Sequence, residues 1–465
     1  MLIRMLVIGM TAMLLAAMPE PVFAAAGPAS LSQQLARVQL HRSGNRGQAY
    51  LPRARADGSS EPSEFSLRTV GAFAIDGDGT ANVRANVYPI DAVGGGGFEL
   101  VQFNGYRFMR VYTTGGRKLW QITNGGGRVH RDAWHRDTAA ILDVNGDGRQ
   151  DIVHCWVSDG RKVLVARRGD TGAVLRSVVL SGEGTDTECQ IAAFKVAGRG
   201  APIILVAHTN RACARPTLDN FARVVAFDTS LNRLWERSTC DAGHYAWPLD
   251  SNGDGAAEGI FVGKYLLTPS GGLRCTLAGW GGDHVDSLAV ADFDPTRPGL
   301  EVAATGLTGM RIHQAESCGQ IARVGAVRNG QHLAAARLAG SSAPVVFVRG
   351  RDGNSSVWVV NGRGQVQSSF RDGSSRILAP SINANLDGAA AAEDMVAWFG
   401  QVIDRVGRLR LSTAWYWSRQ SLGAGERSLS PFDVWTSAPV IVDLDGDGRD
   451  EMITWGRHAM VIGKR

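Results

Sequence analysis

Asp143–Asp151 reads DVNGDGRQD and runs directly into the apolar stretch IVHCWV. The same phrase, Asp-x-Asn/Asp-x-Asp-Gly-x-x-Asp/Glu followed by an apolar run, returns at Asp250–Glu258 (DSNGDGAAE, then GIFVG) and at Asp443–Glu451 (DLDGDGRDE, then MITW). Oxygen-bearing side chains at alternate positions of a tight loop can turn inward together around a hard cation. The Gly after the third of them permits the sharp backbone turn. The spacing nominates four ligands per loop: Asp143, Asn145, Asp147 and Asp151; Asp250, Asn252, Asp254 and Glu258; Asp443, Asp445, Asp447 and Glu451. The ion expected is calcium, Ca2+. The alternative for each loop is a metal-free turn built on Asp and Asn side chains.

An EF-hand loop begins alike, but its last carboxylate comes later and helices flank it. Here a strand-length run follows at once. Incomplete copies fill the gaps. Ala74–Asn82 keeps Asp76, Asp78 and Gly79; Asn383–Ala391 keeps Asn385, Asp387 and Gly388. Both read as turns without an ion. Asp292-Phe-Asp294-Pro-Thr-Arg-Pro-Gly-Leu-Glu301 is longer by one residue and adds Asp292, Asp294 and Glu301 to the candidate ligands. Gly94–Phe103, Gly198–Val206 and Ala339–Val348 carry the strand pattern alone. The loop ends (Glu99, Asp151, Pro202, Glu258, Glu301, Pro344, Asp394, Glu451) recur with a period of roughly 40–60 residues, the size of one four-stranded blade.

Each unit continues as strand, turn, strand, Gly-rich turn, strand: RFMRVYTTGGRKLWQI, KVLVARRGDTGAVLRSVV, RVVAFDTSLNRLWERS and VWVVNGRGQVQSSF are four examples. Their alternation of apolar and polar residues predicts half-buried antiparallel strands. The fold expected is all-β: a single closed β-propeller of eight four-stranded antiparallel blades over residues 67–465. Seven blades is the alternative. The last blade is completed by the N-terminal segment around Leu67–Tyr88. The 58 Gly and 12 Trp suit many turns and aromatic strand packing.

Formal net charge is +5, almost all of the positive charge is Arg, and both signs are interspersed. That balance gives no argument for nucleic acid. An Arg-rich surface suits acidic polysaccharide or a solvated rim. Arg4, the apolar run Met5–Met18 and Val22-Phe23-Ala24 read as a signal peptide over residues 1–24, with export to the periplasm or outside a bacterial cell. The run is too short to span a bilayer, so no membrane span is expected. Residues 25–66 read as a loosely ordered segment. Six cysteines, all between Cys155 and Cys318, fit an oxidising compartment, with Cys213–Cys240 and Cys275–Cys318 the first pairings to expect. No C-x-x-C pair and no G-x-S-x-G elbow occurs.

The repeat resembles the FG-GAP/VCBS repeat of integrin α-chain propellers. Two longer segments resemble rhamnogalacturonan lyases of polysaccharide lyase family 11, eight-bladed calcium-binding propellers. The first is LWQITNGGGRVHRDAWHRDTAAILDVNGDGRQDI, with His135 in the family's place before the loop. The second runs from GHYAWPLDSNGDGAAEGI to GWGGDHVDSLAVADFDPTRPGLEV, with His244, His284, Asp286 and Asp292 to Glu301 in register. The likeness spans Leu119–Val302. The chain departs from the family at Asp283 and Val285, where the family has Gly, and at Ala289, where it has His.

The resemblance implies β-elimination at a uronate, which needs the carboxylate neutralised and the carbon-5 proton removed. Calcium and Arg suit the first task. His135, His244, His284 and Asp286 are the catalytic candidates, expected to gather beside calcium and an Arg at one mouth of the propeller. The plainer reading makes each His a partner of a neighbouring blade's backbone. Trp415-Tyr416-Trp417 suits sugar stacking or core packing. Two functions follow: a calcium-dependent lyase on uronate-containing polysaccharide, or a non-catalytic propeller, monomeric, that binds a glycan or a protein at the cell surface.

Overall fold

The structure is a computed structural model. It describes residues 67–74, 86–94, 98–104, 108–114, 116–123, 139–180, 189–208, 223–239, 241–244, 246–336, 343–350, 356–371, 382–384, 394–397, 401–403, 409–411, 440–442, 451–455 and 458–464. Residues 1–66, His135, Cys213, Cys240, Asp443, Asp445, Asp447 and Trp415–Trp417 lie outside these ranges.

The described residues contain no helix. Their strands form eight antiparallel sheets of four. The first sheet is Asn86–Ile90, Glu99–Asn104, Phe108–Thr113 and Lys118–Thr123; the second is Ala139–Leu142, Asp151–Ser158, Arg161–Arg168 and Val174–Val179. The third begins at Cys189–Phe194, the fourth at Ala246–Leu249, the fifth at Val285–Ala291, the sixth at Gly330–Ala336 and the seventh at Ile382–Ala384. The eighth joins the two ends of the chain: Val440–Val442, Glu451–Trp455 and His458–Lys464 are completed by Leu67–Ala74, paired to the last of them. Tyr88, by contrast, belongs to the first sheet. First strands pack against one another between the second and third sheets and from the fourth sheet through to the eighth, and Asn86–Ile90 packs against Val440–Val442.

The expected alternation of burial is confined to the fourth strands. Lys118–Thr123 and Arg233–Ser238 alternate exposed and half-buried positions. Second strands such as Ile203–His208 and Glu301–Gly306 are buried throughout. The reason is that the apolar layers lie between sheets, so an interior strand is covered on both faces. Ala140, Val153 and Leu164 of the second sheet meet Ile191, Ile204 and Val225 of the third. Ala192, Leu205 and Ala226 of the third meet Ala246, Ile260 and Leu267 of the fourth.

Cys155–Cys189 joins the second and third sheets, and Cys275–Cys318 joins the fourth and fifth. The second of these is the pairing expected from sequence. The turn from third to fourth strand closes with the same kind of backbone bond in six sheets, one residue longer in the second and fifth sheets than in the others. Thr113, Arg168, Asp228, Thr268, Gln314 and Asn361 donate their N–H to the carbonyls of Arg117, Ala173, Asn232, Gly272, Gly319 and Gln365. The residue before each acceptor (Gly116, Gly172, Leu231, Gly271, Cys318, Gly364) has a left-handed backbone.

Candidate functional site

The first strands carry chemistry at both ends. Asp250 and Asp292 follow the first strands of the fourth and fifth sheets; His244 and His284 precede them. Seven residues separate the ends of Val285–Ala291, so the two sets lie roughly 20 Å apart along that strand. The histidines therefore do not sit beside the carboxylate loops.

At the histidine end, two inter-sheet connections and one hairpin converge. His284 Nε2 lies 3.0 Å from His244 Nε2, and His244 Nε2 lies 3.2 Å from Asp286 Oδ1. Asp286 Oδ1 is 3.7 Å from His284 Nε2, closing a triangle of three ligand atoms. The two rings stand edge to face, with planes at 87°. Asp241 Oδ1 lies 2.6 Å from His284 Nδ1 and accepts the N–H of Gly243. Lys264, in the hairpin of the fourth sheet, donates to the carbonyls of Gly281 and Asp283 and stands 3.7 Å from Asp241 Oδ2. Asp241, Lys264 and Asp286 are buried, while His244 and His284 are partly open. Gly281 and Gly282, beside them, face open space.

The sequence pattern finds three of these residues and misses two. Asp241 and Lys264 belong to no motif, and only the fold brings them under His284. The expected Arg is one layer removed. Arg311 donates to Thr308 Oγ1, Thr308 donates to Asp283, and the guanidinium lies on the ring of Trp280. Trp280 in turn donates to Nε2 of the buried His313, whose pKa burial lowers to about 4.

At the other end, two loops share one geometry. Asp143 accepts the N–H of Gly146 and Gly148, and Asp250 those of Gly253 and Gly255. Asn145 and Asn252 accept from Asp147 and Asp254, which accept from Arg149 and Ala256. All four glycines have left-handed φ. Asn145 turns its NH2 to Asp147, and Asn252 its NH2 to Asp254 and Glu258; these are oxygens that a hard cation could take over from the amides, so the donor set fits one. Oxygens of Asp250, Asp254 and Glu258 lie within 4.8 Å of one another.

The other candidates differ. Arg168 Nη1 stands 3.4 Å from Asp147 Oδ2. In the longer loop Asp292 is exposed, and Asp294 accepts from Thr296 and meets Arg297 and Arg363, the last from the sixth sheet.

The acid that closes each loop has a backbone role. Asp151, Glu258 and Glu301 accept the N–H of Val144, Ser251 and Phe293. Burial raises the pKa of Glu301, and raises that of Asp151 to about 6 with help from Asp147 and Asp143. Glu451 is buried as well. A further loop of this kind escapes the motif. Glu99 accepts from Ala92, and Asp91 from Gly94. Its signal in the sequence is Asp91 and Glu99 at the first and ninth positions, with Val93 and Gly95 where the middle ligands would stand.

No protein-family model and no curated protein matches the chain. Among solved structures it is similar to the exotype rhamnogalacturonan lyase YesX, with a TM-score of 0.59 at 19% identity over 82% of this chain and 72% of that one. It is similar to the Bacillus licheniformis rhamnogalacturonan lyase PL11, with a TM-score of 0.59 at 18% identity over 90% and 76%. It is also similar to the V. cholerae biofilm matrix protein Bap1, with a TM-score of 0.56 at 12% identity over 86% and 91%. What these likenesses carry at such identities is the fold, and that fold is propeller-like.

Proposed function

We propose that the chain is an exported, closed eight-bladed propeller that acts on a uronate-containing polysaccharide by β-elimination. The convergence of His244, His284 and Asp286 carries the reading: two imidazole nitrogens and a carboxylate oxygen meet at a partly open point, backed by a buried carboxylate and lysine. Such a set fits a divalent cation. Bound there, the ion would draw in the uronate carboxylate and acidify its carbon-5 proton. A base then takes that proton as the double bond forms between carbons 4 and 5, and the oxygen to the next sugar leaves carbon 4 and takes up a proton from solvent. With His244 and His284 holding the ion, His135 is the histidine left for this task. Calcium belongs to the loops, the all-oxygen set of Asp250, Asn252, Asp254 and Glu258 first among them.

Closure is supported by the packing of Asn86–Ile90 against Val440–Val442 and by the eighth sheet built from both ends of the chain. Export is supported by two disulfides, which persist in oxidising compartments. No helix of the described residues is long and apolar enough to cross a membrane. The likeness to rhamnogalacturonan lyases favours that polymer class.

The test is incubation of the chain with rhamnogalacturonan and with other uronate polymers, following the ultraviolet absorbance of unsaturated product. Product formation that His244→Ala and His284→Ala abolish is the expected result. The likeness to a biofilm matrix protein favours the second reading, a non-catalytic module for a glycan or a surface protein. Absence of product from every uronate polymer, together with retained polymer binding, would establish that reading.

A further inference from the structure

Asp241 makes one contact that decides the protonation of its neighbour. Its Oδ1 lies 2.6 Å from His284 Nδ1, and its Oδ2 faces the Lys264 ammonium. A carboxylate held against an ammonium is an acceptor, so the hydrogen of the short contact belongs to the imidazole. Nδ1 therefore carries a proton, which in the neutral imidazole leaves the lone pair on Nε2. That lone pair points to the space shared with His244 Nε2 and Asp286 Oδ1.

Lys264 makes this arrangement rigid. It is buried, and it joins Asp241, from the connection before the fourth sheet, to the carbonyls of Gly281 and Asp283, from the connection before the fifth. His284 follows directly and donates its own N–H to Asp283 Oδ1. One ammonium thus holds both the carboxylate behind the ring and the backbone that carries the ring.

We propose that Asp241, fixed by Lys264, is a positioning residue that holds His284 in the Nδ1–H form with its Nε2 lone pair turned to His244 and Asp286. The functional consequence rests on the centre being a cation site, as proposed above; the tautomer does not. A carboxylate behind a ligating imidazole orients the ring and makes it a stronger ligand, and its loss typically weakens metal binding 10–100-fold.

Two measurements on the full chain test this. In the metal-free, 15N-histidine-labelled protein, with His284 identified by its absence in His284→Ala, the ring should show a protonated Nδ1 and a bare Nε2. A resting Nε2–H form overturns the proposal. Asp241→Asn should flip the tautomer, because the amide turns its oxygen to Lys264 and its NH2 to the ring. Cobalt titration, read by the visible absorption of an imidazole-bound ion, should weaken about 10–100-fold in Asp241→Asn and less in Lys264→Met. A mainly structural role would lower the melting temperature and leave the tautomer unchanged, which also overturns the proposal. Cobalt absorption that is identical in wild type and His284→Ala would instead defeat the cation reading, and the wild-type tautomer would still decide this one.

Discussion

The indole of Trp235 donates its N–H to the carbonyl of Pro269 at 2.8 Å, and its ring lies against the α-carbon of Gly271. Trp235 is on the fourth strand of the third sheet; Pro269 and Gly271 are in the turn of the next. Trp120 repeats the contact two seams earlier, between the first and second sheets, with its N–H on Gly169 and its ring on Gly172. In the following seam Cys275 occupies the strand position of Trp235 and Cys318 the turn position of Gly271, and the two are bonded. Ala322 lies under Gly364 in the seam after that. A stacked Trp on Gly, a disulfide and a small side chain thus fill one recurring place between sheets.

Gly271→Ala should be among the more damaging single changes on the surface of this fold. A Cβ there would stand 2.5 Å from the Trp235 ring, on a backbone with φ of +83°. Left-handed strain alone costs about 1–3 kcal/mol, and the ring must move as well. Urea unfolding should show the loss as a lower midpoint. Trp235→Phe, which keeps most of the ring but not the hydrogen bond, should cost nearer 1 kcal/mol beyond its lost area. An unchanged midpoint for Gly271→Ala would mean that the seam is not packed as described.

Replacing both Cys275 and Cys318 by Ser should lower stability by about 2–4 kcal/mol, as expected for a link of this kind. The recurrence of the seam makes a sharper prediction. Cys275→Trp with Cys318→Gly copies the neighbouring solution and should recover part of that loss, measured under reducing conditions. If the Trp/Gly pair proves no better than the Ser pair, the equivalence of the positions is only geometric.

Calcium should act unequally on the loops. An ion present at 100 times its dissociation constant and bound only to the folded chain adds about 2.7 kcal/mol per site. Among the described residues, Asp250, Asp254 and Glu258 face no arginine at salt-bridge distance, whereas Asp147 has Arg168, and Asp294 has Arg297 and Arg363. Excess chelator should therefore lower the melting temperature, and Asp254→Ala should remove most of that response. Asp294→Asn should leave it nearly intact. The reverse order would show that the guanidiniums do not compete with the ion.

The carboxylate loops and the four-stranded units were legible because each rests on local spacing, and the N-terminal strand of the last sheet because the unit count leaves that sheet one strand short. Asp143–Asp151 needs only its own nine residues to be read. The loop from Asp91 to Glu99 was not read because Val93 and Gly95 stand where its middle ligands would be, and only the hydrogen bonds from Ala92 and Gly94 reveal it. Asp241 and Lys264 were invisible for a different reason. Each stands alone in sequence, and their relation to His284 exists only when successive sheets pack side by side. Alternation misled in the second and third strands because sheets stacked on both faces bury every side chain between them.

Asp151 gives the loop of the second sheet a pH dependence whose sign can be worked out. Burial and the nearby Asp147 and Asp143 raise its pKa from the ordinary 3.8 to about 6. The folded state thus prefers the protonated acid, and the unfolded chain ionises first as pH rises. Below the ordinary value the group has no effect; between about 4 and about 6 it removes stability progressively; above that the loss is complete. The buried His154 runs the other way, since its pKa is lowered to about 3 and acid must charge it. Comparing Asp151→Asn with wild type at each pH cancels that common contribution. In chelator the variant should equal wild type at about pH 4 and exceed it at pH 7, because the amide keeps the acceptor for Val144 N–H without the charge. Calcium should shrink the difference by stabilising the ionised carboxylate in wild type alone. A variant less stable than wild type at pH 7 in chelator would show that the buried acid is ionised there at no cost, and that its environment is more polar than the geometry implies.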